Sequence, residues 1–422
     1  MQAAKYQLIA QKRKETKERH SRMAVRAYEL KAERNHLGAA VLEKLERLFI
    51  EAKWFTNYAI AEGPFAVSWK VKCVPVKAGG HVEERELKVL SSQMRQGILK
   101  RLQDNIKALA VQKRKGIKVG KIRFRREVRS IPLPQRDYTY KVLDKGHIRV
   151  QNVGILKVSG LDQIPPGAEL ANAVLIHRHG DCYIHITAFL PKKDEEKPPY
   201  FVGIDFGIHD QLTLSNWIKV SFEVPHASKS IRHLMRSLAR KRPGSKRYRI
   251  TLQRLEKEFE HLANIRKDIA YKIGHVLTVH FALIAFQDDD IHGWERLWGR
   301  KVMTTALGRL KQFLEWHGAV AVEQYYPSTQ ECSLCHRRVG KLPLDERTFK
   351  CPYCGAELDR DVNAAKNIAE WGLRSAGSRA ERPLRPADEA ASALLQRELL
   401  SVPYVRAQVA SVKREASPLT AG

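Results

Sequence analysis

No run of 18 or more apolar residues occurs in the 422-residue chain, and its opening segment, MQAAKYQLIAQKRKETKERH, has no apolar signal region. Membrane insertion and secretion are therefore not expected, and an intracellular protein is. The chain also lacks a G-x4-G-K-[ST] match and any nucleophilic Ser or Cys constellation, which sets aside phosphate-loop and acyl-transfer chemistry. Cysteine is scarce. There are six in all, four of them between Cys332 and Cys354; that usage excludes a disulfide framework and points to metal binding. Acids are outnumbered, with 46 Asp+Glu against 75 Lys+Arg and a formal charge of +29. A polyanionic partner is expected. With 43% hydrophobic residues the chain is globular, and at roughly 100–200 residues per domain it should hold two to four domains.

The basic residues cluster as QKRKETKERHSR near the start, QKRKGIKVGKIRFRREVR at 112–129 and RSLARKRPGSKRYR at 236–249. The second cluster offers Lys113, Arg114, Lys115, Lys121, Arg123 and Arg125 to phosphates, and the third offers Arg240, Lys241, Arg242, Lys246 and Arg247. Phe124, Tyr138, Tyr140 and Tyr248 in or near them could stack on bases. Any single cluster is equally well a solvated helix face. Charge alone attracts DNA, RNA and anionic lipid alike.

Val41, Leu42, Leu45, Leu48, Phe49, Ala52, Phe55 and Ala59 predict an amphipathic helix, and Leu87, Leu90, Met94, Ile98, Leu102, Ile106 and Leu109 a second, stopped by Gly116. Between them FAVSWKVKCVPV reads as extended, broken at Gly79-Gly80, with Cys73 a buried thiol. From 118 to 192 short alternating runs (KIRFR, HIRVQ, ILKVSG, AVLIHRH, CYIHITAFL) predict a small β-rich domain. Its His177, His179 and His185 read as surface or packing histidines. PKKDEEKPPY at 191–200 is a linker. Beyond it, FVGIDFG, LTLSN, a basic helical stretch at 227–281, FALIAFQ, VMTTALGRLKQFLEWHG and AVAVEQYY alternate strand with helix, a mixed α/β domain. Residues 373–422, rich in Ala, Arg, Ser and Pro, read as a mobile or weakly helical tail.

Cys332-x2-Cys335, fifteen intervening residues, then Cys351-x2-Cys354-Gly355 has the spacing of a structural four-thiolate zinc site. The alternatives are four free thiols or a redox pair. His336 adjoins the first pair, but four spaced cysteines leave it no vacancy. Catalysis falls to carboxylates. Asp205 sits in an apolar strand, where an ionised acid needs a partner or a metal. Gln287-Asp288-Asp289-Asp290 follows FALIAF, and adjacent acids repel unless cations neutralise them. Asp359 and Asp361 open a helix; taken alone, they read as its caps. Acids from two strand ends and a helix start can converge on a pair of Mg²⁺ ions about 4 Å apart, an arrangement suited to phosphodiester hydrolysis.

GIDFG at 203–207, FQDDDIHGW at 286–294, YPSTQECSLC at 326–335 and DRDVNAAKNI at 359–368 resemble, in order and spacing, the transposon-encoded TnpB proteins and the compact type V CRISPR effectors. The resemblance covers about residues 200–370, and LFIEAKWFTNYAIA and LKVLSSQMRQGILKRL extend it more loosely upstream. It implies a multidomain α+β protein: a β-barrel wedge domain from 1–37 and 118–192, a helical recognition lobe inserted at 38–117, a linker at 193–199, and an RNase H-like (RuvC) domain at 200–326 and 357–372 carrying a zinc ribbon at 327–356, with the tail at 373–422.

It also implies an RNA-guided DNA endonuclease with Mg²⁺ at the catalytic site and structural Zn²⁺. Its partners would be a guide RNA and double-stranded target DNA beside a short flanking motif, with no membrane. It would act as a monomer or homodimer on the RNA, in a nucleoid-associated, prokaryotic cytoplasm. Asp205 and Asp361 match the family's first and last catalytic acids. At the middle position Gln287 stands where many relatives carry Glu, and a Gln supplies no anionic ligand. Asp289, which shares face parity with Gln287 if the strand continues, is the expected middle acid, and Asp288 the next choice. A nuclease-inactive RNA-guided DNA binder is the alternative. A further one is an RNA-binding zinc-ribbon protein whose acids are only caps and surface charges.

Overall fold

The computed structural model describes residues 2–192, 197–222, 229–299, 302, 305–340, 342–343, 346–376, 383–410 and 413–414. The chain divides into two compact units, 1–194 and 195–422. The expected linker residues 193–196 and the tail residues 377–382, 411–412 and 415–422 lie outside the described residues. Among the described residues no helix is long and apolar enough to cross a membrane.

In the first unit, α1 (Gln2–Ser21) leads into β1 (Met23–Ala32), followed by α2 (Ala39–Glu62), the hairpin β2 (Cys73–Ala78) and β3 (His81–Glu86), and α3 (Ser92–Arg114). Then come β4 (Ser130–Leu133), β5 (Tyr140–Val142), β6 (His147–Val150), β7 (Gly154–Ser159), β8 (Glu169–Arg178) and β9 (Asp181–Pro191). The sheet order is β4-β8-β9-β1-β7-β6-β5. An early strand thus sits between late ones, and the two long helices are inserted in the sequence of a single sheet. The three-to-four spacing of α2 buries Leu45, Leu48, Ala52, Phe55 and Ala59, and that of α3 buries Met94, Ile98 and Leu102. Buried Glu51 accepts hydrogen bonds from the backbone N–H of Val89 and Leu90 at 2.8 and 2.9 Å, which fixes the entry to α3. Gly116, at φ +79°, follows the end of α3. Gly79 and Gly80, both at positive φ, form the turn between β2 and β3.

The basic residues 2–21, mostly good helix formers with no Gly or Pro, form a helix. Three expectations for this unit need correction. Cys73, at the outset of β2, is exposed rather than buried. Residues 121–125 form no strand: the Asn57 side chain takes both backbone groups of Arg125, at 2.7 and 3.0 Å, in place of a ladder. Tyr140 is buried, its hydroxyl donating to the Ala171 carbonyl, and so is closed to stacking.

The second unit opens with β10 (Tyr200–Phe206), β11 (Leu212–Leu214) and β12 (Ile218–Phe222), an antiparallel meander. Helices α4 (Lys229–Ala239) and α5 (Lys246–His280) follow; the single expected stretch is interrupted by Gly244 at φ +81° and by Ser245, which caps α5 by accepting from the Tyr248 N–H. Next are β13 (Leu283–Gln287), α6 (Ile291–Trp298), α7 (Leu307–Trp316) and β14 (Val320–Val322), the two strands parallel to β10. The chain continues through β15 (Thr348–Lys350), β16 (Glu357–Asp359), α8 (Arg360–Ala376), β17 (Arg385–Pro386), α9 (Glu389–Ser401), β18 (Val405–Val409) and β19 (Lys413–Arg414). The main sheet runs β14-β13-β10-β11-β12-β18, with β17 beside β10.

The tail is the largest departure from expectation. Its described part is ordered into the second unit: α9 buries Leu395 and Leu399 completely, and β18 pairs antiparallel with β12 from Ile218↔Val409 to Phe222↔Val405. The Ala-, Arg- and Pro-rich composition concealed an amphipathic helix and an alternating strand.

Candidate active site

Glycine and alanine decide where the last helix lies. A Cβ at Gly203 of β10 would stand 2.1 Å from the Ala365 carbonyl oxygen and 2.4 Å from the Ala369 nitrogen, and one at Gly372 would stand 2.3 Å from the Ala285 Cβ on β13. Helix α8 therefore packs backbone-close across β10 and β13, and its first turn reaches the carboxyl ends of those parallel strands. Asp205 lies at the end of β10, Asp289 two residues beyond β13, and Asp361 in the first turn of α8. All three line one cavity of 1580 Å³.

Burial first, then the charges of Asp361 and Asp289, raises the Asp205 carboxyl well above its ordinary pKa. Burial also pushes Asp289 up to about 6, opposed by Lys311 and helped by Asp288. A cation between such groups relieves both repulsion and desolvation. The three acids are spaced openly: among the described residues, only the four cysteines form a group of three or more such side chains with ligand atoms all within 4.8 Å of one another.

The structure separates the four residues after FALIAF. The Gln287 amide donates to the carbonyls of Gln324 and Tyr326 at 2.9 and 3.1 Å and accepts from Ser328 Oγ at 2.8 Å, so this side chain clasps the 324–328 loop. Asp288 pairs with Lys311, does not line the cavity and has a side chain 54% exposed. Asp290 accepts from the Gly293 N–H at the start of α6. Asp289 is the acid of this run that faces Asp205 across the cavity.

The DRDVNAAKNI segment divides its work. Asp359 Oδ1 accepts from the N–H of Asp361 and Val362, capping α8; Asp361 makes no such cap and is ringed by Lys219 and Arg347 at 3.5 Å and by Arg360. Buried Asn363 and Asn367 both donate to the Glu331 carbonyl at 2.7 Å, and Asn367 also to that of Ser328. They suspend the start of the cysteine segment from the same helix that carries Asp361.

In that segment Cys332 and Cys354 sulfurs are 3.7 Å apart, and those of Cys335 and Cys351 3.6 Å. A tetrahedral ion with bonds of about 2.3 Å to sulfur has edges of about 3.8 Å, so the four cysteines fit zinc. Each Cys-x2-Cys turn closes alike: His336 (φ +56°) and Gly355 (φ +73°) donate their N–H to the carbonyl of the pair's first cysteine, Cys332 or Cys351. The His336 ring points to Glu370, at 3.3 Å. Arg347, between the two cysteine pairs, is the residue that links this ribbon to Asp361.

A family model, the Cas12f1-like TNB domain, matches residues 307–368, the stretch from α7 through the cysteines into α8. A provisionally named RNA-guided DNA endonuclease of Streptomyces pristinaespiralis is 29% identical over 232 residues, 52% of this chain and 53% of that protein. A TnpB-like protein of Acanthamoeba polyphaga mimivirus is 27% identical over 217 residues, 45% and 41% of the two chains. Over these stretches the chain is similar to TnpB-like proteins. It spans about half the length of the curated relatives it matches. Among solved structures, a Cas12f1–sgRNA–target DNA complex aligns at 13% identity with a TM-score of 0.45, over 78% of this chain and 82% of that one.

The expected phosphate-binding residues are open. In the first unit Lys113, Arg114, Lys115, Lys121, Arg123 and Arg125 are exposed, and in the second so are Arg240, Arg242, Lys246 and Arg247, with Lys241 half-buried. Among the described residues none of these has an acidic partner. Phe124 and Tyr138 are 65% and 69% exposed, and Tyr248 is half-buried. Of the histidines, His185 bonds Glu29 at 2.6 Å and His177 packs on Phe49. Sequence reasoning missed Lys219, Arg347, Arg360, Tyr404 and Arg406, which also line the cavity, and Trp294, Trp298 and Tyr325 on its wall. Lys219 alone left a signal, a charge inside the apolar strand WIKVSF.

Proposed function

We propose that this chain is an RNA-guided DNA endonuclease whose second unit, an RNase H-like (RuvC) domain, hydrolyses phosphodiester bonds. The observation that carries it is one cavity lined by Asp205, Asp289 and Asp361, from two parallel strand ends and a helix start. The sheet order β12-β11-β10-β13-β14, an antiparallel meander followed by two parallel strands on its other side, supports the RNase H-like assignment.

The fit of Mg²⁺ rests on the donor set: three carboxylates, two of them held above their ordinary pKa by burial and by neighbouring acids. Asp205, Asp289 and Asp361 would hold the ions. When bound, the metal supplies a water of lowered pKa and neutralises the leaving oxygen. A bound cation would offset the burial and mutual repulsion that raise Asp205 and Asp289. Arg347 and Arg406 draw the phosphate backbone to the cavity. Tyr325, 88% exposed, and Trp298, 45% exposed, offer stacking faces to unpaired bases. Guide RNA and target DNA would be held by the exposed basic clusters, with sequence read by base pairing.

The test is cleavage of guide-matched DNA, beside a randomised flanking motif, by protein purified with its own RNA in Mg²⁺ or Mn²⁺. Asp205→Ala, Asp289→Ala and Asp361→Ala should each lower the rate at least about a hundredfold. The clasped Gln287 favours one competing reading, a guided binder without nuclease activity. Tight target binding with no cutting, even in Mn²⁺, would establish it; Asp205→Ala without effect on any activity would leave only an RNA-binding ribbon protein.

A further inference from the structure

Lys219 has no role in the chemistry above, yet it stands among its acids. An ammonium taken out of water is tolerated only when paired and hydrogen-bonded. The Lys219 side chain is 10% exposed, and its Nζ lies 2.8 Å from Asp359 Oδ2, 3.5 Å from Asp361 Oδ2 and 3.7 Å from Asp210 Oδ2. The sheet dictates this placement: Asp205 pairs with Thr213 and Thr213 with Lys219, so the lysine projects from the same face as Asp205, two strands away. Asp359 meanwhile caps α8 with its other oxygen. The lysine thus ties the start of the helix bearing Asp361 to β12. Arg347 also reaches Asp361, but from a side chain 62% exposed, where water and salt weaken the pair.

We propose that Lys219 is a positioning residue, a resident cation that holds Asp361 toward the cavity in the metal-free protein and competes with the divalent ion for that carboxylate. The inference rests on the assignment of Asp205, Asp289 and Asp361 as metal ligands. Counted as ionised, the cavity is lined by five aspartates (205, 210, 289, 359, 361) and four cations (Lys219, Arg347, Arg360, Arg406). Loss of Lys219 doubles its formal negative charge, from −1 to −2. Lys219 therefore trades metal affinity for order: it keeps the acids from flying apart and raises the ion concentration the site needs.

Mn²⁺ titration of the full-length protein, followed by the electron paramagnetic resonance of the free ion, tests this on wild type, Lys219→Gln, Lys219→Arg and the double variant Asp205→Asn/Asp361→Asn. Lys219→Gln should bind Mn²⁺ at least about tenfold more tightly, the size expected for removing one like charge near a divalent ion even in a water-like dielectric. Its metal-free melting temperature should fall and its gain in melting temperature on adding Mn²⁺ should exceed that of wild type. Lys219→Arg should stay within about twofold of wild-type affinity, because the charge remains. A merely structural lysine would give weaker or unchanged binding in Lys219→Gln, and that result overturns the proposal. If Lys219→Gln does not fold, a tenfold change in Lys219→Arg overturns it instead. Wild-type binding that survives in the double variant sinks the metal-ligand assignment, and the role of Lys219 with it; binding lost there but unchanged in Lys219→Gln sinks the role of Lys219 alone.

Discussion

Replacing Gly203 by alanine tests whether the close approach of α8 to the sheet is what assembles the cavity. The new methyl would meet backbone on two sides, at 2.1 Å from the Ala365 oxygen and 2.4 Å from the Ala369 nitrogen, with the Ala369 Cβ at 2.8 Å. None of these is a flexible side-chain end. Ordinary contact begins at 3.4 Å, so helix and strand must part by about 1.3 Å. Overpacking of this kind costs about 1–3 kcal/mol; at about 2–4 °C per kcal/mol for a domain of this size, the melting temperature should fall by about 2–12 °C. Ala365 is one turn from Asp361, so the displacement is felt at the acid itself, and a misplacement of about 1 Å costs about a hundredfold in rate. Gly372→Ala is the control. It clashes with Ala285 at 2.3 Å, but eleven residues along the helix, about 16 Å from Asp361. It should lose comparable stability and keep more of its Mn²⁺ binding and cleavage. The reasoning is refuted if Gly203→Ala melts, binds Mn²⁺ and cuts like the wild type, or if the two variants lose activity equally.

Gln287→Glu should not install a better metal ligand. It replaces an amide that donates to two carbonyls by a carboxylate that repels them, so a melting temperature lowered by the equivalent of about 1–3 kcal/mol, with no gain in cleavage, is expected in a thermal scan and nuclease assay. Asp289 sets a pH dependence. Its folded pKa of about 6 lies above the ordinary carboxylate value, so between about pH 4 and 6 the folded state holds more protons than the unfolded and stability falls as pH rises. Metal-free Asp289→Asn should therefore be more stable than wild type above pH 6 and equal to it below pH 4 in urea titrations, while wild-type Mn²⁺ binding strengthens as pH rises through 6. Leu399→Ala, in a tail helix with no exposed surface at that position, should cost about 2–5 kcal/mol; denaturation that matches wild type would mean α9 is not part of the second unit's core.

What could be read from sequence followed from rules local to the chain. Paired cysteines at fixed spacing, an acid inside the apolar strand around Asp205, and three-to-four apolar stripes in α2 and α3 each carry their reason within a dozen residues. The family pattern together with face parity favoured Asp289 over Asp288, and Asp289 lines the cavity, although β13 ends at Gln287. The rest depends on partners distant in sequence. Nothing near Lys219 announces that Asp210, Asp359 and Asp361 surround it; a charge inside WIKVSF signals that a partner is needed but not which one. Asn363 and Asn367 were visible in the motif, but what they hold, the carbonyls of Ser328 and Glu331, is tertiary. The residues after 373 misled through composition: their apolar positions are few, and their burial is evident only once β12 offers an edge to β18.

That edge has a bearing on how the second unit comes into being. Lys219 gains its outer neighbour, Gln408, only from the returning strand, and the nearby wall residues Tyr404 and Arg406 arrive with it. A ribosome that has finished the cysteine ribbon and the helix behind it has yet to make this strip. The cavity is walled in late in synthesis, so, under the proposed function, an incomplete product bearing every candidate acid should still cut poorly.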